Sequence, residues 1–144
     1  MDFFSAMTVS SSALTAERTR INLISSNLAN ANSTRSAEGG PYKRKDAVFA
    51  ATPMTEPFAS VLNRAGRAPD KVNVTSIVVD TTPPRMQYDP SHPDADPQGY
   101  VAMPNVNVLE EMADMISATR TYEANVTAAQ AAKSMAMKTL ELGR

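Results

Sequence analysis

The residues best suited to chemistry lie in one short segment, residues 89–97. It contains three aspartates and the only histidine of the chain, His92. Carboxylates and an imidazole are ligands for divalent cations, so a small metal-binding module centred on His92 is one interpretation. Their spacing matches no zinc or EF-hand pattern. Since Pro90, Pro93 and Pro97 fix the backbone and Asp suits turns, we expect a rigid solvated turn and no metal or other cofactor.

Two other charged groups admit a chemical interpretation. Glu110 and Glu111 are adjacent carboxylates, but no histidine or nucleophile lies near them, and they suit the first turn of a helix. Residues 43–45 form a Lys-Arg-Lys run without interleaved aromatic residues. This run is more typical of a solvated strand, or of a contact with an acidic neighbour, than of a nucleic-acid site.

Composition favours a binding or structural protein over an enzyme. The 144-residue chain has no Cys, five Gly and a formal net charge of −1. Thiolate chemistry is therefore excluded, no phosphate-binding glycine loop is present, and no basic field exists to hold nucleic acid. Asp2 stands where a secretory signal would carry positive charge, and no apolar run is long enough to enter a membrane. We expect no cleaved signal peptide and no membrane insertion.

Proline divides the chain into three parts. Residues 1–34 contain neither Gly nor Pro, residues 35–106 contain all ten Pro, and residues 107–144 contain no Pro. Because proline disrupts helix interiors, the partition predicts an N-terminal helix, a small β-rich middle module and a C-terminal helix that begins after the cap Asn107. The expected fold class is mainly α.

Both predicted helices carry apolar residues at heptad spacing. The stripes consist of Met7, Leu14, Ile21 and Leu28 in the first helix and Val108, Met112, Met115, Tyr122, Val126 and Leu140 in the second. We expect the helices to pair as a coiled-coil-like hairpin. Their apolar surface exceeds what mutual pairing covers, which indicates association with further chains.

The middle module is predicted to contain strands at residues 43–50, 72–80, 85–88 and 100–103. A compact core is expected there from the apolar residues Val48, Phe49, Val74, Val78, Tyr88 and Val101.

Three segments resemble the rod and hook proteins of the bacterial flagellum. Residues 24–32 are similar to their Asn-rich N-terminal motif and residues 111–125 to their C-terminal helical motif. Residues 88–107 are similar to the proximal-rod proteins of the C type. The positions that carry these motifs are Asn27, Leu28, Asn30, Asn32, Asp89, Pro90, His92, Pro93, Tyr100, Pro104, Asn105, Tyr122, Glu123 and Asn125. Asn27, Asn30 and Asn32 have short amides suited to fixing helix register.

The resemblance implies a structural subunit of the proximal rod of the flagellar basal body, without enzymatic activity and required for motility. Such subunits are exported by the flagellar type III apparatus without a cleaved signal and assemble across the periplasm with copies of themselves and other rod proteins. Their terminal helices form an inner tube around the export channel, and the middle module lies outside it. The alternatives are another rod subunit, the metal-binding module, and a soluble helical adaptor or export chaperone.

Overall fold

The computed structural model describes residues 3–37, 39–54 and 69–142. Helix α1 spans Phe3–Ala29, and helix α2 spans Val108–Leu142. Between them lie four strands: β1 (Lys45–Pro53), β2 (Asp70–Val79), β3 (Arg85–Tyr88) and β4 (Tyr100–Met103). The predicted order of two long helices around a small strand-containing region is confirmed, and β3 and β4 have the predicted bounds.

Helix α1 forms although its first half is rich in Ser and Thr, which are mediocre helix formers. The hydroxyls of Thr8, Ser12, Thr15 and Thr19 donate hydrogen bonds to main-chain carbonyls three or four residues earlier, at 2.7–3.1 Å. The polar groups are thus satisfied within the helix. Packing on two sides provides further stabilisation, because α1 contacts α2 on one side and the β1–β2 pair on another.

Helix α2 begins at the predicted cap. The Asn107 side chain accepts a hydrogen bond from the amide of Leu109 at 3.2 Å, and the Asn107 carbonyl accepts one from the amide of Glu111 at 3.0 Å. Glu110 and Glu111 both lie in the first turn, where negative charge complements the helix dipole.

Helix α2 meets α1 through a row of mostly small residues. The row is spaced by alternating steps of four and three, and none of its members is exposed: Glu111, Met115, Ala118, Tyr122, Asn125, Ala129, Ala132 and Ala136. Among the described elements α2 packs against α1 alone, so this row is its face toward α1. Four of the eight are alanines, which allow close approach of the two backbones. Ala118, in this row, is 0% exposed.

Only some residues of the predicted stripes lie in the contact between the two helices. Met115 and Tyr122 lie in the row toward α1, and Leu14, Ile21, Leu28 and Val126 are half-buried. By contrast, Met7, Val108, Met112 and Leu140 are exposed, so the contact between the two helices is not centred on them. At two positions the facing row differs from the predicted stripe by one residue, with Glu111 in place of Met112 and Asn125 in place of Val126. This face of α2 is favoured because it allows close approach of the helices and a polar contact at Glu111. Side-chain hydrophobicity alone would favour a different face.

Several large apolar residues of α2 are exposed. Leu109, Met112, Ile116, Met137 and Leu140 are all more than half exposed. Within the described part of the chain, no helix is both long enough and apolar enough to cross a bilayer.

The strands form two separate antiparallel pairs, β1 with β2 and β3 with β4. The predicted compact core is wrong. Val48, Val78 and Tyr88 are exposed, and of the six residues predicted for it only Val101, 2% exposed, is buried. A two-stranded pair has too little surface to enclose a core of its own. The β1–β2 pair uses α1 as its support instead, and Ser12 of α1 accepts a hydrogen bond from the amide of Val72 at 3.1 Å.

A buried polar cluster as the candidate functional site

Asn27, in the last turns of α1, is 1% exposed and uses both ends of its amide. Its Nδ2 donates to the Lys45 carbonyl at 2.9 Å and to Oε2 of Glu111 at 3.0 Å. Its Oδ1 accepts from the Lys45 amide at 3.0 Å and from the Tyr42 hydroxyl at 2.9 Å. One side chain therefore joins α1 to the start of β1 and to the first turn of α2.

Glu111 completes the cluster from α2. Its carboxylate is 1% exposed, and Oε1 accepts a 2.6 Å hydrogen bond from Nε of Arg44. Arg44 also contacts Asp46 at 3.2 Å and approaches Asp114 to 4.0 Å. We call Asn27, Tyr42, Arg44 and Glu111 the polar cluster. A buried carboxylate is costly unless it is paired and hydrogen-bonded, and here both oxygens have partners.

The electrostatics of the cluster reinforce the Arg44–Glu111 pair. Partial burial alone would lower the pKa of Arg44, but its hydrogen bond to Glu111, the Glu111 charge and Asp46 together raise it. The guanidinium is thus held in its charged form beside the carboxylate. The hydrogen bonds that the Asn27 and Glu111 side chains make within the cluster all go to other parts of the same chain. The arrangement therefore fixes the register of the two helices and the position of β1, rather than offering a reactive group to a substrate.

A second polar contact ties the loop after α1 to the turn at residues 89–97. Oδ2 of Asp94 accepts from the Thr34 hydroxyl at 2.8 Å, and its other oxygen contacts the guanidinium of Arg35. The hydrogen bond from Thr34 and the neighbouring Arg35 lower the pKa of the Asp94 carboxyl below its ordinary value of 3.8. Both oxygens of Asp94 therefore bind the loop after α1 and hold it against the turn at residues 89–97.

The lowered pKa of Asp94 predicts the pH dependence of this contact. Because the folded-state pKa lies below 3.8, the contact contributes fully above that pH and is lost as the pH falls through the lower folded-state value. We expect an NMR titration to give an Asp94 midpoint below 3.8, and Thr34→Val to raise that midpoint. A midpoint at or above the ordinary value, or one insensitive to Thr34→Val, would contradict the assignment.

The remaining carboxylates of the turn are engaged by their own loop. Asp89 accepts from the amide and hydroxyl of Ser91 at 3.1 and 2.6 Å, and Asp96 accepts from the amides of Gln98 and Tyr100, both at 2.9 Å. Nδ1 of His92 accepts from the amide of Asp94 at 3.1 Å. The described residues contain no group of three or more side chains arranged to hold a metal. Most polar side chains of the turn are thus bonded within it.

We expect His92→Ala to have a small effect. The variant loses one loop hydrogen bond, which is worth about 0.5–1.5 kcal/mol of unfolding free energy. Swimming of cells that carry it should match that of the wild type. Elemental analysis of both purified proteins provides the check, because a stoichiometric metal lost in His92→Ala together with motility would establish the metal-binding interpretation.

Other motif positions serve the fold around these contacts. Pro90 and Tyr88 pack so closely on Gly99, whose φ is +84°, that a Cβ there would lie 2.9 Å from the Tyr88 ring. Tyr100 packs edge-to-face on Tyr88 with a centroid distance of 5.3 Å. The remaining motif positions divide by exposure: Pro104 is buried, Leu28, Asn30, Tyr122 and Asn125 are half-buried, and Asn32, Pro93, Asn105 and Glu123 are exposed.

The polar cluster is only partly predictable from the sequence. The register role of Asn27 remains a prediction; its side chain links α1 to β1 and α2, whereas the Asn30 side chain bonds only locally, to Ser26 at 2.9 Å and Ser33 at 3.2 Å. From the sequence, Glu111 is predicted only to complement the helix dipole, and Arg44 belongs to a run predicted to lie on a solvated strand or to contact an acidic neighbour. Tyr42 has no predicted role. The signal for Glu111 is its spacing, because it precedes Met115 and Ala118 by one and two steps of the row that faces α1.

Comparison of the sequence with known protein families gives two matches, and both are to flagellar rod proteins. A family described as "Flagella basal body rod protein" matches residues 7–35, and one described as "Flagellar basal body rod FlgEFG protein C-terminal" matches residues 98–142. These two ranges contain the parts of α1 and α2 that form the helix contact, together with Asn27 and Glu111. The class is that of flagellar basal-body rod proteins.

The curated relatives reported below share one name within this class. The chain is 45% identical to the flagellar basal-body rod protein FlgC of Bacillus subtilis over 100% of both chains. It is 44% identical to FlgC of Borreliella burgdorferi, with 94% of this chain and 93% of the relative covered. It is 41% identical to FlgC of Escherichia coli O6:H1, with 94% of each covered. The chain belongs to the FlgC family of flagellar basal-body rod proteins.

Proposed function

We propose that the chain is a structural subunit of the proximal rod of the flagellar basal body, where it transmits torque and surrounds the export channel. Full-length similarity to FlgC proteins supports the rod assignment. The polar cluster is the observation that carries the mechanical part. It joins α1, β1 and α2 through a buried ion pair and shared hydrogen bonds, which suits a part that must not shear under load.

The exposed apolar residues of α2 support assembly. Leu109, Met112, Ile116, Met137 and Leu140 are exposed and apolar, and no described element of the chain covers them. Burial of such residues against neighbours provides a hydrophobic driving force for a multi-subunit structure. Packing of the predicted stripe residues Met7, Val108 and Leu140 against other subunits is part of this proposal.

The three parts of the chain have different positions in the proposed rod. Residues 1–34 and 107–144 supply a coiled-coil-like helix pair to an inner tube, and residues 35–106 form the outer module. The alternating steps of four and three along α2 support this division, because such spacing is typical of coiled-coil contacts. The partners are copies of this chain and other rod proteins.

The same proposal covers the route to that location. The chain is exported by the flagellar type III apparatus without a cleaved signal and assembles in the basal body, across the periplasm. It binds no nucleic acid, does not insert into the membrane, needs no cofactor and acts without enzymatic chemistry. The net charge of −1 and the carboxylates engaged within the chain support this assignment.

Deletion of the gene tests the proposal. Deletion cells should be non-motile and lack completed rods, and a plasmid copy should restore both. Mass spectrometry of isolated basal bodies from the complemented cells should detect the chain in the rod fraction. Normal swimming of the deletion strain, or a chain found only in the cytoplasm, would favour the adaptor or chaperone alternative.

A further inference from the structure

The β1–β2 pair has two outer edges, and the edge of β1 is blocked at several points. An open strand edge presents unpaired amides and carbonyls to which further strands can bond, so proteins cover or block it. The Asn27 side chain bonds both the amide and the carbonyl of Lys45, and the Asp46 carboxylate accepts from the Ala47 amide at 2.8 Å. Pro53, at the end of β1, has no amide to donate.

The direction of the backbone groups of β2 follows from its pairing with β1. Next to the pair, the Asp80 amide donates to the Arg44 carbonyl at 2.8 Å. Hydrogen-bonded and non-hydrogen-bonded residue pairs alternate along an antiparallel ladder. Because Val79 and Ile77 lie one and three positions before Asp80 in this register, both direct their amides and carbonyls away from β1.

The outer edge of β2 is protected at one end only. The Val72 amide donates to the Ser12 hydroxyl of α1 at 3.1 Å. Within the described part of the chain, no residue forms a hydrogen bond to the outward amides and carbonyls of Ile77 and Val79. Residues 55–68 join the two strands at the opposite end of the pair from Ile77.

The unprotected section of β2 has the composition of a segment that pairs with other strands. Residues 72–79 contain no charged residue, no Pro and no Gly, and they are rich in β-branched side chains. Ile77, Val78 and Val79 are 51%, 49% and 42% exposed, so both faces of this section are partly uncovered. An uncharged segment with high β-propensity and an open edge is a template for pairing with another chain.

We infer that the outer edge of β2 at residues 75–79 receives an extended segment of an adjacent rod subunit, which adds a third strand to the β1–β2 pair. The inference rests on the proposed function, because it takes the chain to be packed among other subunits. The outward backbone groups supply the hydrogen bonds, and the exposed side chains of Ile77 and Val79 supply apolar contacts. The partner is therefore an uncharged segment with alternating apolar residues.

The same edge of a second copy is not that partner. Pairing between two identical edges is two-fold symmetric and closes into a dimer, whereas contacts along a rod must repeat from one subunit to the next. The purified chain should therefore be a monomer at assay concentrations. A stable dimer that Ile77→Pro abolishes would overturn the inference.

Residue-resolved hydrogen exchange of the dilute purified chain and of isolated basal bodies tests the inference directly. In the dilute chain the outward amides of Ile77 and Val79 should exchange rapidly, and the Val78 amide, which faces β1, should be protected. In the assembled rod the exchange of Ile77 and Val79 should slow by at least about tenfold. Rapid exchange of both amides in the rod would overturn the inference. Slow exchange in the dilute chain would do the same, because the edge would then be covered without a neighbour.

A proline substitution provides the matched functional test. Ile77→Pro removes the outward amide without removing a bond to β1, so it blocks an added strand and spares the existing pair. Incorporation into basal bodies should fall by at least about tenfold. Ile77→Thr keeps the amide and a β-branched side chain, and it should incorporate like the wild type.

Urea denaturation shows whether the proline acts on assembly alone. Both purified variants should unfold at the wild-type urea concentration, because neither loses a bond between β1 and β2. Wild-type incorporation of Ile77→Pro, or an equal loss in the two variants, would overturn the inference. If Ile77→Pro unfolds at a lower concentration, hydrogen exchange of the unmodified chain decides.

The two proposals fail in different ways. If the chain is missing from the basal bodies, the proposed function fails. If the chain is present and its deletion stops swimming, but Ile77 and Val79 exchange rapidly in the rod, only the inferred strand addition fails.

Discussion

Arg44→Met should lower the free energy of unfolding by about 3–5 kcal/mol, because the substitution leaves a buried carboxylate without its counter-charge. Glu111 is 1% exposed, and its Oε1 accepts the 2.6 Å hydrogen bond from Arg44. Methionine preserves much of the side-chain length and removes the charge. Urea denaturation of the purified chain, followed by circular dichroism, measures the change.

Two controls separate loss of this buried pair from loss of any arginine. Arg35→Met removes an ion pair whose arginine side chain is 78% exposed, and we expect it to cost no more than about 1 kcal/mol. Adding Glu111→Met to Arg44→Met removes the orphaned charge, so the double variant should be more stable than Arg44→Met alone. An Arg44→Met chain within about 1 kcal/mol of the wild type would show that Glu111 is not buried as described.

Ala118→Leu should destabilise the chain by about 1–3 kcal/mol through overpacking of the helix contact. Ala118 is 0% exposed in the row of α2 that faces α1. The added methyl groups have no space unless the helices move apart. The same urea denaturation measures this effect, and an accompanying loss of swimming would show that the helix spacing matters in the rod.

Ala128→Leu is the matched control for this prediction. It makes the same substitution in the same helix at an exposed position, so we expect a change within about 0.5 kcal/mol. Equal effects of the two substitutions, or a stabilising Ala118→Leu, would favour the contact through Met112 and Val126 that hydrophobic spacing alone predicts.

The elements of the fold follow closely from local sequence signals. Absence of proline predicted both helices, Asn107 predicted the start of α2, and two of the four strands have the predicted bounds. The β-module core could not be predicted in the same way. Alternating apolar residues indicate a strand with one buried face but do not identify the partner, and for β1 and β2 that partner is α1.

The helix contact shows where hydrophobicity misleads. Large apolar residues at coiled-coil spacing predict a contact that includes Met112 and Val126. The facing row keeps Met115 and Tyr122 of that stripe, but it has Glu111 and Asn125 one position before the other two. Two features determine which face of α2 meets α1, and both are hard to recognise from one sequence. Alanines permit close approach of the helices, and the cost of burying the Glu111 carboxylate is offset by its contacts with Asn27 and Arg44. Large apolar residues such as Leu109 and Ile116 are thereby left exposed and available to other chains.

The candidate site could be predicted only in part from the sequence, because its contacts join residues far apart along the chain. Asn27 has a residue type that suggests a register role, but the Glu111 side chain bonds residues 84 and 67 positions away along the chain. No local pattern links Asn27, Arg44 and Glu111, since their proximity is created by the pairing of α1 with α2 and the docking of β1.

Cryo-electron microscopy of isolated basal bodies would show directly how the chain is placed in the rod. We expect this chain to occupy the proximal rod with α1 and α2 paired and facing the channel, Asn27 opposite Glu111, and the two strand pairs on the outside. A proximal rod that lacks the chain would overturn the proposed function. So would a rod in which α1 and α2 of one subunit are separated, or in which the strand pairs line the channel.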